Sequence, residues 1–204
     1  MARSIEAYDV VIVWRAAELV RVSLRLLNQR EVLTPAILAR SLLELGAAAI
    51  LDSNTIGKSI SSALTNAPDG TVVMSFELEE LVIRMLYGTR MDGLPDHPEQ
   101  KNAKTYIEKV SRNPNASELL PIYAYLCDLT HPNVLGYSRY WAGTQSKNED
   151  GSETLRMDRY AESATTSQIR ENALWALGWS SVCIRNAFQI GEDTVRRIVQ
   201  RWPK

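Results

Sequence analysis

Along residues 4–30, Ile5, Tyr8, Ile12, Ala16, Leu19, Val22 and Leu26 recur in steps of three and four, with Arg15, Arg21 and Arg25 elsewhere on the same cylinder. That spacing lines one face of a 3.6-residue turn, so it predicts a long amphipathic helix. The second helix has a marked start. Thr34 can cap it, Pro35 suits its first position, and Leu33 with Leu38 has the spacing of a hydrophobic staple. Between Ala36 and Leu51 the only charges are Arg40 and Glu44, and Ser41 is the sole other polar side chain. A helix apolar nearly all round belongs in the middle of a bundle. Gly46, Ala47, Ala48 and Ala49 leave room for a neighbouring backbone.

Residues 53–72 are richer in Ser, Thr, Asn and Gly, and Ala67-Pro68-Asp69-Gly70 is a turn signal, so the second helix ends or frays in this stretch. Further helices are expected near 75–88, over 100–112 and over 117–130. The last is irregular at Pro121 and closed by His131-Pro132, because a residue before proline is biased away from helical geometry. Residues 91–99 read as loop. Two short arms around Asn148-Glu149-Asp150-Gly151 predict a small β-hairpin near 137–160. A long helix from about Ser167 to Ile190, uncharged over 172–184, is the second central helix; Gly191 and Asp193 then permit a break before a basic terminal helix. The expected fold is all-α: a single helical bundle over 1–204, with two central apolar helices and one small hairpin.

Composition narrows the function more than the fold. A hydrophobic fraction of 45% with 23% charged residues is that of a chain with a core. The formal net charge of -1 excludes reliance on bulk phosphate attraction, which takes a basic excess. Cys127 and Cys183 are far apart, and His97 and His131 are the only histidines, so no zinc framework, metal site or cofactor is expected. The N-terminus has no apolar signal core and the longest uncharged run, Asn172 to Ile184, is too short to span a bilayer. These features predict a soluble, reduced, cytoplasmic protein without membrane contact.

Two stretches carry chemistry. Arg40 and Glu44 are four apart on the apolar helix, in the less favourable order for helix support, so burial with partners is expected: either a pair that sets bundle register or part of a site. In Tyr125-Leu126-Cys127-Asp128-Leu129-Thr130-His131-Pro132-Asn133, Asp128 is placed to orient His131 at a helix C-terminus, an arrangement that suits a proton donor; the alternative is a capping His before a turn. The candidate catalytic set is therefore His131, Arg40, Glu44 and Asp128. Tyr125, Asn133, Tyr137, Tyr140 and Trp141 are candidates to contact a substrate, the last three by stacking on a base. The tail Arg196, Arg197, Arg201 and Lys204 reads as solvated, and Trp175 with Trp179 as core or dimer interface.

The RSLLEL helix (Arg40 to Leu45) together with YLCDLTHPN (Tyr125 to Asn133) resembles an uncharacterised branch of the HEPN superfamily of nucleotide-binding helical bundles. The resemblance covers about fifteen residues. It implies a dimeric protein acting on RNA or a nucleotide, as in the metal-independent ribonucleases of toxin–antitoxin and phage-defence systems. Their catalytic motif is an Arg separated from a following His on the same helix by four to six intervening residues. Here those positions before His131 hold Leu126, Tyr125 and Ala124, so a basic partner must come from another helix, with Arg40 as the candidate. Arg90 and His97 match the spacing but are separated by Gly93 and Pro95 in a loop. The alternative is a non-catalytic dimeric interaction module whose polar cluster is structural.

Overall fold

The computed structural model describes residues 1–66, 75–89, 98–138, 140–158, 160 and 162–201. Its helices are α1 (Ala2–Asn28), α2 (Leu33–Asn66), α3 (Phe76–Tyr87), α4 (Ala103–Val110), α5 (Leu119–Thr130), α6 (Val134–Ser138) and α7 (Ala164–Arg201), with one 3-10 turn at Pro114–Ala116. Strands β1 (Trp141–Lys147) and β2 (Glu153–Met157) form the two-stranded sheet. The architecture is an all-helical bundle carrying a small antiparallel sheet. The expected turn at Ala67–Gly70, most of the loop at 91–99, Arg90, His97 and residues 202–204 lie outside the described residues.

Local chemistry accounts for most boundaries. Ser75 accepts from the Leu78 backbone N–H and caps α3, whose first turn carries Glu77 and Glu79. Ser163 and Thr166 cap α7 reciprocally: each side chain accepts from the other's backbone N–H, at 3.2 and 2.8 Å. Pro121 does not distort α5. It sits in the first turn, where a missing N–H costs no helical bond. α2 continues to Asn66 through its polar stretch because Ile56 and Ile60 are buried on one side; Asn54, Thr55 and Thr65 each donate to the carbonyl four residues earlier.

Three expectations are corrected. α7 does not break at Gly191 but runs unbroken to Arg201, and beyond the glycine Val195 and Ile198 pack against the core around Ile5. The uncharged part of α7 is also not enclosed on every side, since Leu174 and Val182 are 46% and 48% exposed and Gly178 faces open space. In the sheet, β1 and β2 pair antiparallel with register irregularities between Trp141 and Gly143 and between Thr144 and Ser146, and are not a regular hairpin. Gly143 at the first irregularity and Gly151 in the connecting turn take positive φ, 106° and 83°.

The chain divides into two compact units. The first comprises Met1–Ala17, Glu44–Val110 and Ser180–Lys204; the second comprises Glu18–Leu43 and Ser111–Trp179. The division falls inside helices, which is why no linker composition announces it. The core of the first unit is Ile5, Ile56, Ile60, Leu78 and Val82, with Leu64, Leu81, Met85, Leu86, Val195 and Ile198 against it. The second unit buries Val32, Ala36, Ala39, Leu42 and Leu43 of the α1–α2 region, Leu119, Leu126 and Leu129 of α5, and Ile169, Ala173 and Ala176 of α7. α2 is long and apolar enough to cross a membrane, yet Ala36, Ala39, Leu42, Leu43, Ala47 and Ala49 are buried within the chain, the condition of a core helix.

Candidate functional site

In the second unit, α2 brings Arg40 to the C-terminal turn of α5. Its Nη1 donates to Thr130 Oγ1 at 3.1 Å, and the guanidinium lies over the Tyr123 ring, 5.8 Å from its centroid. Thr130 Oγ1 in turn donates to the Cys127 carbonyl at 2.7 Å, so the hydroxyl links the cation to the carbonyl end of α5. A positive charge at a helix C-terminus is favoured by the macrodipole. Arg40 and Glu44, one turn further along α2, are half-buried rather than enclosed.

His131 directly follows Thr130. It is extended, at φ -85 and ψ 151, and its N–H bonds the Asp128 carbonyl, because Pro132 disfavours a further helical residue. The side chain is exposed. Arg40 thus reaches Thr130, the residue before His131, where the sequence had offered Tyr125 or Asp128 as its acceptor. The carboxylate of Asp128 has a different partner: Asn133 Nδ2 donates to Asp128 Oδ1 at 2.6 Å and to the Asp128 carbonyl at 3.0 Å. Asn133 Oδ1 also accepts from the Gly136 N–H at 3.1 Å, so this side chain closes α5 and opens α6. Gly136 is needed at that joint, since a Cβ there would stand 2.9 Å from the His131 carbonyl and 3.1 Å from that of Leu129. Asn133, a candidate for substrate contact, is built into the backbone turn.

The aromatic candidates are dispersed. Tyr125 is half-buried, and burial pushes its hydroxyl pKa up. Tyr137 is exposed on α6, beside exposed Val134. Tyr140 lines an open depression of about 490 Å³ with Glu31, Leu33, Thr34, Met157 and Asp158. Trp141 starts β1 opposite Met157; its side chain lies outside the described residues. Trp175 and Trp179 stack on each other with centroids 6.1 Å apart, at the half-buried positions of their helix.

The first unit holds ionisable groups that sequence reasoning passed over. Asp52 of α2 is 3% exposed, and Tyr106 of α4 donates to its Oδ2 at 3.1 Å. Burial raises the Asp52 carboxyl to about 6, against the downward pull of the Tyr106 hydrogen bond and then of Lys101, Arg84 and Lys109. Tyr106 and buried Tyr8 are both pushed upward, first by burial and then by the charge of Asp52. Lys101 lies over the Tyr106 ring at 5.9 Å. Asp9 of α1 is 7% exposed, and burial, then Glu192 and Glu6, raise its carboxyl to about 7. Asp9 was detectable: it stands four residues after Ile5 and three before Ile12, on the margin of the apolar stripe. Among the described residues, no group of three or more His, Cys, Asp or Glu is arranged to hold a metal ion. No protein family, curated protein or solved structure matches this chain.

Proposed function

We propose that this chain is a non-catalytic interaction module that pairs with a second copy of itself through α1. The observation that carries this reading is a solvent-facing apolar patch: Val10, Val11 and Val13 are exposed, and Trp14 is 72% exposed. Contiguous exposed apolar surface with an aromatic at its centre marks an association surface more often than a catalytic one. Glu6, Val10, Val13, Trp14, Ala17 and Arg21 are all exposed and fall within an arc of roughly 100° on an ideal helix. With a two-fold axis between Val13 and Trp14, an antiparallel copy sets Glu6 opposite Arg21 and Val10 opposite Ala17. Charges of both signs on one face suit an identical partner better than a polyanion or an anionic lipid surface. The ties within the polar cluster support the same reading. Asp128 is bonded by Asn133, and Arg40 bonds Thr130 at the end of α5, which gives both a structural role in joining helices. The free thiols of Cys127 and Cys183 suit a reduced, cytoplasmic setting.

Sedimentation equilibrium at micromolar concentration tests the reading. The wild-type chain is expected to be dimeric and Trp14→Glu monomeric. Glu6→Arg alone weakens the dimer, and Glu6→Arg with Arg21→Glu restores it. A monomeric wild type, or a dimer indifferent to Trp14→Glu, removes the proposal.

A second reading, contact with RNA or a nucleotide in a defence-type effector, has one observation in its favour. His131 after α5, and Val134 and Tyr137 one turn apart on α6, are all exposed, an imidazole and an aromatic edge of the kind that stack on a base. RNA binding or cleavage by the wild type that is lost in His131→Ala would establish it in place of the first.

A further inference from the structure

We propose that the Asp9 carboxyl is a pH-sensitive clasp, holding the C-terminal part of α7 against α1 when protonated and loosening it when ionised. The argument lies within the first unit and is independent of how copies associate. Gly191 of α7 faces Asp9 so closely that a Cβ there would stand 2.8 Å from the Asp9 Cγ and 3.0 Å from its Oδ1. The carboxyl therefore rests on the backbone of a glycine, in the space a side chain would take, and this contact keeps a glycine in the middle of an unbroken helix. α2 closes the same part of α7 from another side: a Cβ at Gly57 would meet Ile190 Cγ2 at 3.0 Å and Thr194 Oγ1 at 3.5 Å.

The surroundings favour the neutral acid. The charges acting on Asp9 are Glu6 on its own helix and Glu192 on α7, both acidic. From α2, Gly57 and Ser61 bring no charge to this part of α7, Lys58 is exposed, and Asp52 acts instead on Tyr8 and Tyr106. A carboxylate seated between two others, with its access to water nearly closed, is held unfavourably; one proton released to or taken from solvent decides its state. The carboxyl titrates at about 7, so the change falls in the physiological range. What it would release is definite. Beyond Gly191, Val195 and Ile198 pack against the core around Ile5, and Arg197 Nη1 donates to Ser61 Oγ at 2.8 Å.

The sign follows from linkage. The folded pKa lies above the unfolded one, so the folded state binds the proton more tightly; the penalty is absent below about pH 4, grows toward pH 7 and is constant above it. The test uses the full chain with carbon-13 carboxyl NMR and amide hydrogen exchange over residues 192–201. The Asp9 resonance is expected to titrate near 7, and protection of 192–201, corrected for intrinsic exchange, to fall about tenfold between pH 6 and 8. Asp9→Asn should keep protection high across that range. Glu192→Gln should lower the Asp9 midpoint, and Asp52→Asn should leave the fall in place, separating the two buried acids. An Asp9 midpoint near 4, or an undiminished fall in Asp9→Asn, overturns the proposal.

Discussion

The two units treat their charges in opposite ways. The first buries Asp9 and Asp52, and burial pushes both carboxyls far above their ordinary range. The second keeps Asp128 and His131 exposed and Arg40 half-buried, and spends their hydrogen bonds on ending one helix and starting the next. The lesson concerns where perturbed groups are found. A residue that looks chemical in sequence, such as a His before a Pro, sits at a helix end, where water is available. A residue that is electrostatically stressed lies on the margin of an apolar stripe, where it looks like an interruption. Desolvation, and not the identity of the motif, sets the difference.

The comparison is broken most directly at Asp52. Removing its hydrogen bond in Tyr106→Phe should cost about 2 kcal/mol near neutral pH, the range for a bond to a charged group, and push the carboxyl still higher. The folded pKa is raised, so the contribution of Asp52 to stability declines as pH rises from about 4 to about 6 and is flat above. Asp52→Asn should therefore reduce the difference in unfolding free energy between pH 4 and 7.5 by about 2 kcal/mol. Denaturant titrations at the two pH values measure both. An unchanged difference would mean that Asp52 is solvated and the contrast between the units is false.

A smaller effect is expected at Arg40. Full burial of the Arg40–Glu44 pair would make Arg40→Ala cost about 3–5 kcal/mol. At half burial, the loss of the Thr130 bond and the Tyr123 contact sums to about 1–2 kcal/mol. A double-mutant cycle with Thr130→Val should return a coupling of about 1 kcal/mol. Coupling near zero would make Arg40 a surface residue. A loss above about 3 kcal/mol would make it as buried as the acids of the first unit.

The smallest effect sharpens the contrast from the other side. His131→Ala should change stability by no more than about 0.5 kcal/mol, because the side chain is exposed and the backbone bond to Asp128 survives the substitution. Thermal melting at matched pH checks it. A large loss would show that the ring is packed, against its exposure.

How much was legible can be argued element by element. Of the stripe Ile5, Tyr8, Ile12, Ala16, Leu19, Val22 and Leu26, the first four are buried and the last three half-buried; periodicity finds the face because one face of a helix meets one environment. The stop before Pro132 and the strands flanking Gly151 were legible for the same local reason: prolines and turn glycines act on their immediate neighbours. α2 instead starts at Leu33, ahead of the expected cap Thr34, with the Ala36 N–H bonded to the Val32 carbonyl. Arg40 was a candidate partner for the His131 segment because no Arg precedes that histidine on its own helix. Its hydrogen bond to Thr130 was not expected, since nothing in the order of residues tells which hydroxyl ninety positions away will be in reach.

Sequence alone therefore determined the helical class, the long apolar α2 and the local chemistry of most boundaries, because each depends on residues within a turn or two. Tertiary structure decided the rest. Gly191 reads as a helix stop in one dimension and proves to be the seat of a carboxyl in three. Asp128 stands at the spacing to orient a histidine and is bonded by an asparagine. Asp9 and Asp52 are ordinary acids until neighbouring helices exclude water from them. Burial is a property of the surrounding elements, and no single stretch of chain contains it.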